Sequence, residues 1–164
     1  MKTDLILYFK EIIGSSESLI LIISMLPIVE LRGSIPWGIL IEGLSWEKSL
    51  IISLFGNFII SVPILTMLDP LRIYFSKFKY FNALIIFIDK RSLKRSKIIK
   101  KFGPVGLAIF VGIPMPFTGV WTGCVASNLL KINKYKAMVY IFCGLILSSI
   151  ITTKLTLMGY YYLG

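Results

Sequence analysis

Two stretches of this chain are long and apolar enough to cross a bilayer, and two more, equally greasy, are interrupted where a crossing helix should run on. A full crossing takes about 20 apolar residues. Residues 46–69, WEKSLIISLFGNFIISVPILTMLD, meet that length, with Ser45 placed to cap the start, Glu47 in the first turn and Asp69-Pro70 placed to end it. Residues 134–158, KYKAMVYIFCGLILSSIITTKLTLM, form the second crossing, with Asn133 as its cap. The chain is 56% hydrophobic over 164 residues, and its apolar residues come in blocks (19–29, 49–68, 105–117 and 137–153) that are free or almost free of charge. A soluble domain would alternate apolar with polar. The pattern predicts an all-α integral membrane protein forming a single transmembrane domain over 1–164.

The interrupted blocks are 18–43, broken by Pro27, Gly33 and Pro36, and 103–130, broken by Pro114, Pro116 and Gly119. Proline removes a backbone donor and disfavours helix at the residue before it. Each block should therefore split into two half-helices, too short to cross singly. Each pair is then either a kinked span or a re-entrant hairpin. Charge favours hairpins. Between Arg72 and Lys101 lie ten Lys or Arg against the single acid Asp89, the mark of a cytoplasmic segment. Lys131, Lys134 and Lys136 cluster at the far end of the second block, placing both its ends on the cytoplasmic side. The first block then enters from the opposite face.

An internal duplication is expected on the same grounds. Gly33 falls 86 positions before Gly119, Ser45 lies 88 before Asn133, and Gly56 lies 88 before Gly144. The expected architecture has two full transmembrane helices plus two Pro/Gly-broken re-entrant hairpins as inverted repeats, about 17–70 and 103–160. A basic linker, 71–102, joins them. Paired discontinuous helices meeting near the midplane are a transporter arrangement. The linker and DLILYFKEII at 4–13 read as amphipathic helices lying in the interface.

The chemistry collects at the breaks. PIVELRGSIPWG, residues 27–38, holds Glu30 and Arg32 inside an apolar block. A charge at the bilayer centre costs at least about 2.5–3.5 kcal/mol. Residues two apart do not share a helix face, so direct pairing needs non-helical backbone, which lipid tolerates only when it is buried in protein or lines a cavity. The residues read either as a structural ion pair or as groups that handle substrate or ion, Glu30 carrying a proton. The second tip, GIPMPFTGVWTG at 112–123, has no charge but offers Thr118, Thr122, the Trp121 indole N–H and the backbone at Gly119. The expected pathway comprises Glu30, Arg32, Gly33, Pro36, Asn57, Pro114, Pro116, Thr118, Gly119, Trp121 and Thr122. Close helix packing is the competing role for the glycines. Ser148, Ser149, Thr152 and Thr153 are expected to bond back to their own helix.

Other classes are disfavoured. The net charge of +10 concentrates between membrane segments, which suits anionic lipid better than nucleic acid; Lys94, Arg95, Lys97, Lys100 and Lys101 are the expected headgroup ligands. Histidine is absent, Cys124 and Cys143 lack metal-ligand spacing and read as core residues, and no ATP-binding motif is present. No enzyme activity, cofactor or metal is expected. The N-terminus lacks the pattern of a cleavable signal.

PIVELRGSIPWGI, the GN in the next helix, and GIPMPFTGVWTG resemble the small multidrug export protein family and, more distantly, the DedA superfamily. The resemblance covers roughly residues 17–160. It implies a small multi-pass protein of the cell membrane with a transport role. Through the DedA likeness it implies re-entrant hairpins, dependence on the proton-motive force and movement of polyprenyl phosphate lipids. The shared tips are Glu30, Arg32, Gly33 and Pro36, and Pro114, Pro116, Thr118 and Gly119. The leading expectation is a transporter or lipid translocase driven by an ion gradient, for a phosphate-bearing lipid or amphipathic solute. The rival is a scaffold that docks anionic lipid or a partner through the basic linker. So small a monomer encloses little volume, which favours a homodimer.

Overall fold

A computed structural model describes residues 14–75, 97–115 and 118–163. The described residues form helices and turns: α1 (Ser16–Met25), α2 (Glu30–Leu40), α3 (Trp46–Phe75), α4 (Lys97–Gly112), α5 (Val120–Leu129) and α6 (Lys134–Leu163). They fall into two compact units. The first takes the chain to Asn57 and returns from Ser148; the second is Phe58–Leu147. Each unit thus holds one pair of short helices and part of each long one. The expected helix at 4–13 and most of the basic linker, Lys94 and Arg95 included, lie outside the described residues.

The long helices match the expected crossings and overrun them. Ser45 accepts from the Lys48 N–H at 3.4 Å, and Asn133 Oδ1 accepts from the N–H groups of Tyr135 and Lys136 at 3.0 and 3.4 Å. Pro70 does not end α3, which continues to Phe75. Two windows, Trp46–Leu68 and Lys134–Tyr162, are long and apolar enough to span a bilayer, yet only 33% and 44% of them is buried.

What is buried reveals the solvent. On α3, Ser49, Ser53, Asn57 and Ser61 recur at every fourth position and are all 0% exposed, while Ile51, Phe55, Ile59 and Val62 face outward. On α6, Ser148, Ser149, Thr152, Thr153 and Thr156 are buried, while Val139, Ile146, Leu147, Ile150 and Leu155 are exposed. In water this arrangement would be inverted. In lipid it is favourable, because small polar residues let helices approach and bond to one another while aliphatic side chains meet the acyl chains. Exposed Tyr135 at one end of α6 and Tyr160, Tyr161 and Tyr162 at the other suit the two interfaces.

In the first unit, α1 and α2 form an antiparallel hairpin. Ser16 Oγ donates to Glu42 Oε2 at 2.6 Å, and four residues further in, Ile20 lies against Gly38. The hairpin packs on α3. Lys48 reaches Glu17 at 3.6 Å, and Gly56 sits so close to Ser24 and the Leu21 carbonyl that a Cβ there would collide with both. α1 therefore runs parallel to α3, and the hairpin turn lies level with Gly56, near the middle of the Trp46–Leu68 window.

The break has one cause where three were expected. Leu26 is extended, with ψ 137°, because Pro27 follows it, and α2 begins three residues after Pro27. Gly33 and Pro36 lie inside α2 without interrupting it. A Cβ on Gly33 would overlap Val29, so this glycine lets the turn fold back onto the helix. Pro36 fits helical φ; it only withholds a donor from the Arg32 carbonyl.

In the second unit α4 ends at Gly112 and α5 begins at Val120. α4 is itself kinked at Gly103 (φ 59°, ψ −137°), after which Gly106 packs against the Ile98 backbone. α4 runs beside α6 in the same direction, Gly144 against Ala108 and Gly112 against Leu147. Cys124 on α5 is buried, with Sγ 3.9 Å from the Ser61 carbonyl, and the Phe58 and Phe142 rings meet edge-on at 4.8 Å. Cys143 is an exposed free thiol, not a core residue. The sequence placed it in the core because its block is apolar, but in lipid an apolar block faces outward as readily as inward.

Replacing Gly56 by Val should lower stability by about 1–3 kcal/mol through overpacking against α1. Phe55→Leu, one residue away on the exposed face, should change it by less than about 0.5 kcal/mol. Thermal unfolding in detergent, followed by helical ellipticity, measures both.

Candidate functional site at the first helix break

Glu30 opens α2 with φ 50°, a left-handed backbone that side-chain-bearing residues rarely adopt, and it is 6% exposed. Holding a non-glycine residue there costs about 1–2 kcal/mol. Burying a carboxyl in an apolar segment costs more. Arg32 follows two residues on, near enough for the two charges to interact. The α2 N-terminus, which has no side-chain cap, adds a favourable positive end for an acid in the first turn. The segment is therefore strained, buried and charged at one point.

A ladder of small polar residues leads to that point. Ser34 on α2 donates to Ser53 on α3 at 2.7 Å, and Gly38 lies against Ser49, where a Cβ would come within 2.6 Å of Oγ. Both helices advance by four residues per rung in opposite directions. One rung further brings position 30 level with Asn57. Asn57 is fully buried; its Nδ2 donates to the Ser53 carbonyl at 3.1 Å, while its Oδ1 makes no hydrogen bond. A buried acceptor without a donor costs about 1–3 kcal/mol.

Further buried polar atoms without a hydrogen bond include Trp37 Nε1, Ser49 Oγ, Ser148 Oγ, Thr152 Oγ1 and Thr153 Oγ1. Among the described residues, all such atoms belong to the first unit. This corrects the expectation that the α6 hydroxyls bond back to their own helix. Thr156 does so, to the Thr152 carbonyl at 2.8 Å, but Ser148, Thr152 and Thr153 do not. The interior of the first unit is thus richer in hydrogen-bonding capacity than its own side chains use.

The second tip is settled internally. Thr118 Oγ1 donates toward the carbonyls of Ile113 and Met115 at 2.9 and 2.8 Å, tying the start of α5 to the end of α4. Gly119 (φ 150°) precedes α5, and Thr122 Oγ1 lies 3.4 Å from the Gly119 carbonyl. Pro114, Trp121 and Thr122 are partly exposed, and Pro116 lies outside the described residues. Of the expected headgroup ligands, Lys97, Lys100 and Lys101 are exposed on the α4 segment before the Gly103 kink, with Lys101 Nζ 5.2 Å from the Phe102 ring.

Residues 30–151 match the family model described as "Putative small multi-drug export protein". The chain belongs to that family. Its matched segment begins at the first residue after the α1–α2 break and takes in the second interruption, all of α3 and every candidate residue from Glu30 to Thr122. The name of the small multidrug export family points to a transporter-like role rather than an enzyme, in agreement with two apolar spans and a polar interior. No curated protein and no solved structure matches the chain.

Sequence reading picked out Glu30, Arg32 and Asn57 but not Ser34, Ser49 and Ser53. The signal was available: on α3 the serines and Asn57 repeat at a spacing of four, one helix face, inside an apolar block.

Glycine adopts the backbone of residue 30 without strain. Glu30→Gly should therefore be more stable than Glu30→Ala by about 1 kcal/mol, although both remove the carboxyl. Chemical denaturation of the two variants in detergent tests this; equal stabilities would mean that residue 30 is not held at positive φ.

Proposed function

We propose that this protein is a secondary transporter whose α1–α2 hairpin is re-entrant and carries the coupling group, Glu30, to mid-membrane depth. The observation that carries the reading is Glu30 itself: a carboxyl buried beside Arg32, held at positive φ, level with the middle of an apolar span. Strain of this kind persists where function requires it, and an intramembrane acid is a working group by default. The apolar turn that precedes it supports a lipid setting, since Leu26 is 47% and Ile28 94% exposed.

In this mechanism Glu30 alternates between carboxylate and neutral acid. The carboxylate is held by Arg32 and the α2 N-terminus. The neutral acid has an O–H to donate, and Asn57 Oδ1, one rung along the ladder, is an acceptor of the right kind. The unpaired hydroxyls of Ser148, Thr152 and Thr153 extend hydrogen-bonding capacity through the same unit. An ion gradient acting on Glu30 would release Arg32 to hold, or let go, the anionic end of the transported molecule. The cargo suited to such a guanidinium is a phosphate-bearing lipid or amphipathic anion. The break between α4 and α5, level with the middle of α6, forms the second re-entrant tip, and the basic segment 72–101 lies in the cytoplasm.

In proteoliposomes, Glu30→Gln should remove the gradient-driven part of export, a loss of about tenfold or more, the scale of a typical coupling free energy. Passive exchange of the same cargo should remain. Arg32→Ala should lower both by weakening cargo binding. Unchanged gradient-driven export in Glu30→Gln, with normal helix content, would remove Glu30 from the mechanism.

A further inference from the structure

The turn between α5 and α6 forms a second polar feature, away from the helix break. It borders a cavity of about 360 Å³, lined on its polar side by Ser127, Asn128, Lys131 and Lys134 and on its apolar side by Leu65 and Ile132. That volume lies in the ~300–1,000 Å³ range of small-ligand sites. The turn is fixed by backbone bonds from Ile132 N–H to the Ser127 carbonyl (2.9 Å) and from Lys131 N–H to the Asn128 carbonyl (3.0 Å). Ser127 Oγ is turned to the Cys124 carbonyl at 2.8 Å, and Lys131, Lys134 and the side-chain amides of Asn128 and Asn133 are the other polar groups that line the pocket.

We propose that this cavity binds a phosphate-type oxyanion, held by Lys131 and Lys134. Three observations converge on that ligand. No acid lines the pocket among the described residues, and the sequence from 90 to 164, which supplies all of α4, α5 and α6, contains no Asp or Glu. The α6 N-terminus is already capped by Asn133 Oδ1, so the pull on an anion comes from the lysines and not from open helix N–H groups. The pocket also sits at the N-terminal end of the Lys134–Tyr162 span, beside the 81%-exposed Tyr135, and the ends of a spanning helix meet the headgroup region. Its apolar wall, Leu65 and Ile132, would meet the first carbons of a lipid tail. The site stands independently of the transport mechanism and uses none of its residues.

The test is native mass spectrometry of the full chain in mild detergent, with phosphatidylglycerol, phosphatidylcholine and inorganic phosphate as separate probes. The wild type should retain phosphatidylglycerol over phosphatidylcholine. The paired change Lys131→Gln with Lys134→Gln should weaken that retention by roughly tenfold or more. The Arg pair at both positions should preserve it, and Lys154→Gln, an exposed lysine elsewhere on α6, should leave it unchanged. Asn128→Asp, which keeps both lysines but adds a carboxylate, should act like the Gln pair. Lysine-dependent retention of inorganic phosphate without phosphatidylglycerol would identify a free oxyanion as the ligand of the same site. Binding of both probes that is equal in the wild type and the Gln pair, or no binding of either, would overturn the proposal.

Discussion

Lipid offers no hydrogen bonds, and that one restriction organises this molecule. Polar side chains on a long helix are better placed inside the protein than against acyl chains, so Ser49, Ser53, Asn57 and Ser61 line the buried side of α3 while Ile51, Phe55 and Ile59 face out. The same rule explains why two serines meet at 2.7 Å and why Gly38 and Gly56 stand where they do. Without a side chain at those positions, α1 and α2 approach α3 closely enough for hydroxyls to reach across. Hydrophobic burial cannot drive helices together in a solvent as apolar as they are. Close packing and small hydrogen-bonded polar groups take its place.

Against that background Glu30 is an exception the fold maintains at a cost. Its backbone is strained, its carboxyl is buried, and α2 could start with a neutral, unstrained residue instead. The buried hydroxyls of Ser148, Thr152 and Thr153 and the Asn57 carbonyl are exceptions of the same kind, all in the same unit. In the second unit the comparable Thr118 and Ser127 hydroxyls are satisfied by backbone carbonyls. The two units therefore share a plan of helices but differ in chemistry. The first can accept a visiting proton or ligand, and the second closes on itself except at its basic end.

Much of this was legible beforehand, for identifiable reasons. Apolar length and the caps at Ser45 and Asn133 located α3 and α6, since a bilayer sets a length and an N-cap needs a particular side chain. The two short-helix pairs followed from proline. Which proline breaks a helix did not follow: Pro27 does, while Pro36, Pro63 and Pro70 are accommodated. A missing donor is tolerable where neighbouring groups and helix packing compensate, and that depends on contacts far along the chain. The left-handed backbone at Glu30 was invisible for the same reason, because nothing in a glutamate announces positive φ. The polar ladder was readable as a spacing of four, yet its partner residues on α2 depend on the antiparallel register.

The account rests on the α1–α2 turn lying deep in the membrane and not at its surface. A nitroxide at Ile28→Cys, in a chain with Cys124 and Cys143 replaced by Ser, reports that depth through its collisions with oxygen and with a water-soluble nickel chelate. The account predicts oxygen-rich, chelate-poor collisions matching those of a label at Phe55 and deeper than one at Trp46. Chelate access at Ile28 equal to that of a label at Gly43 would place the turn in water, and the buried acid would then have no membrane to work in.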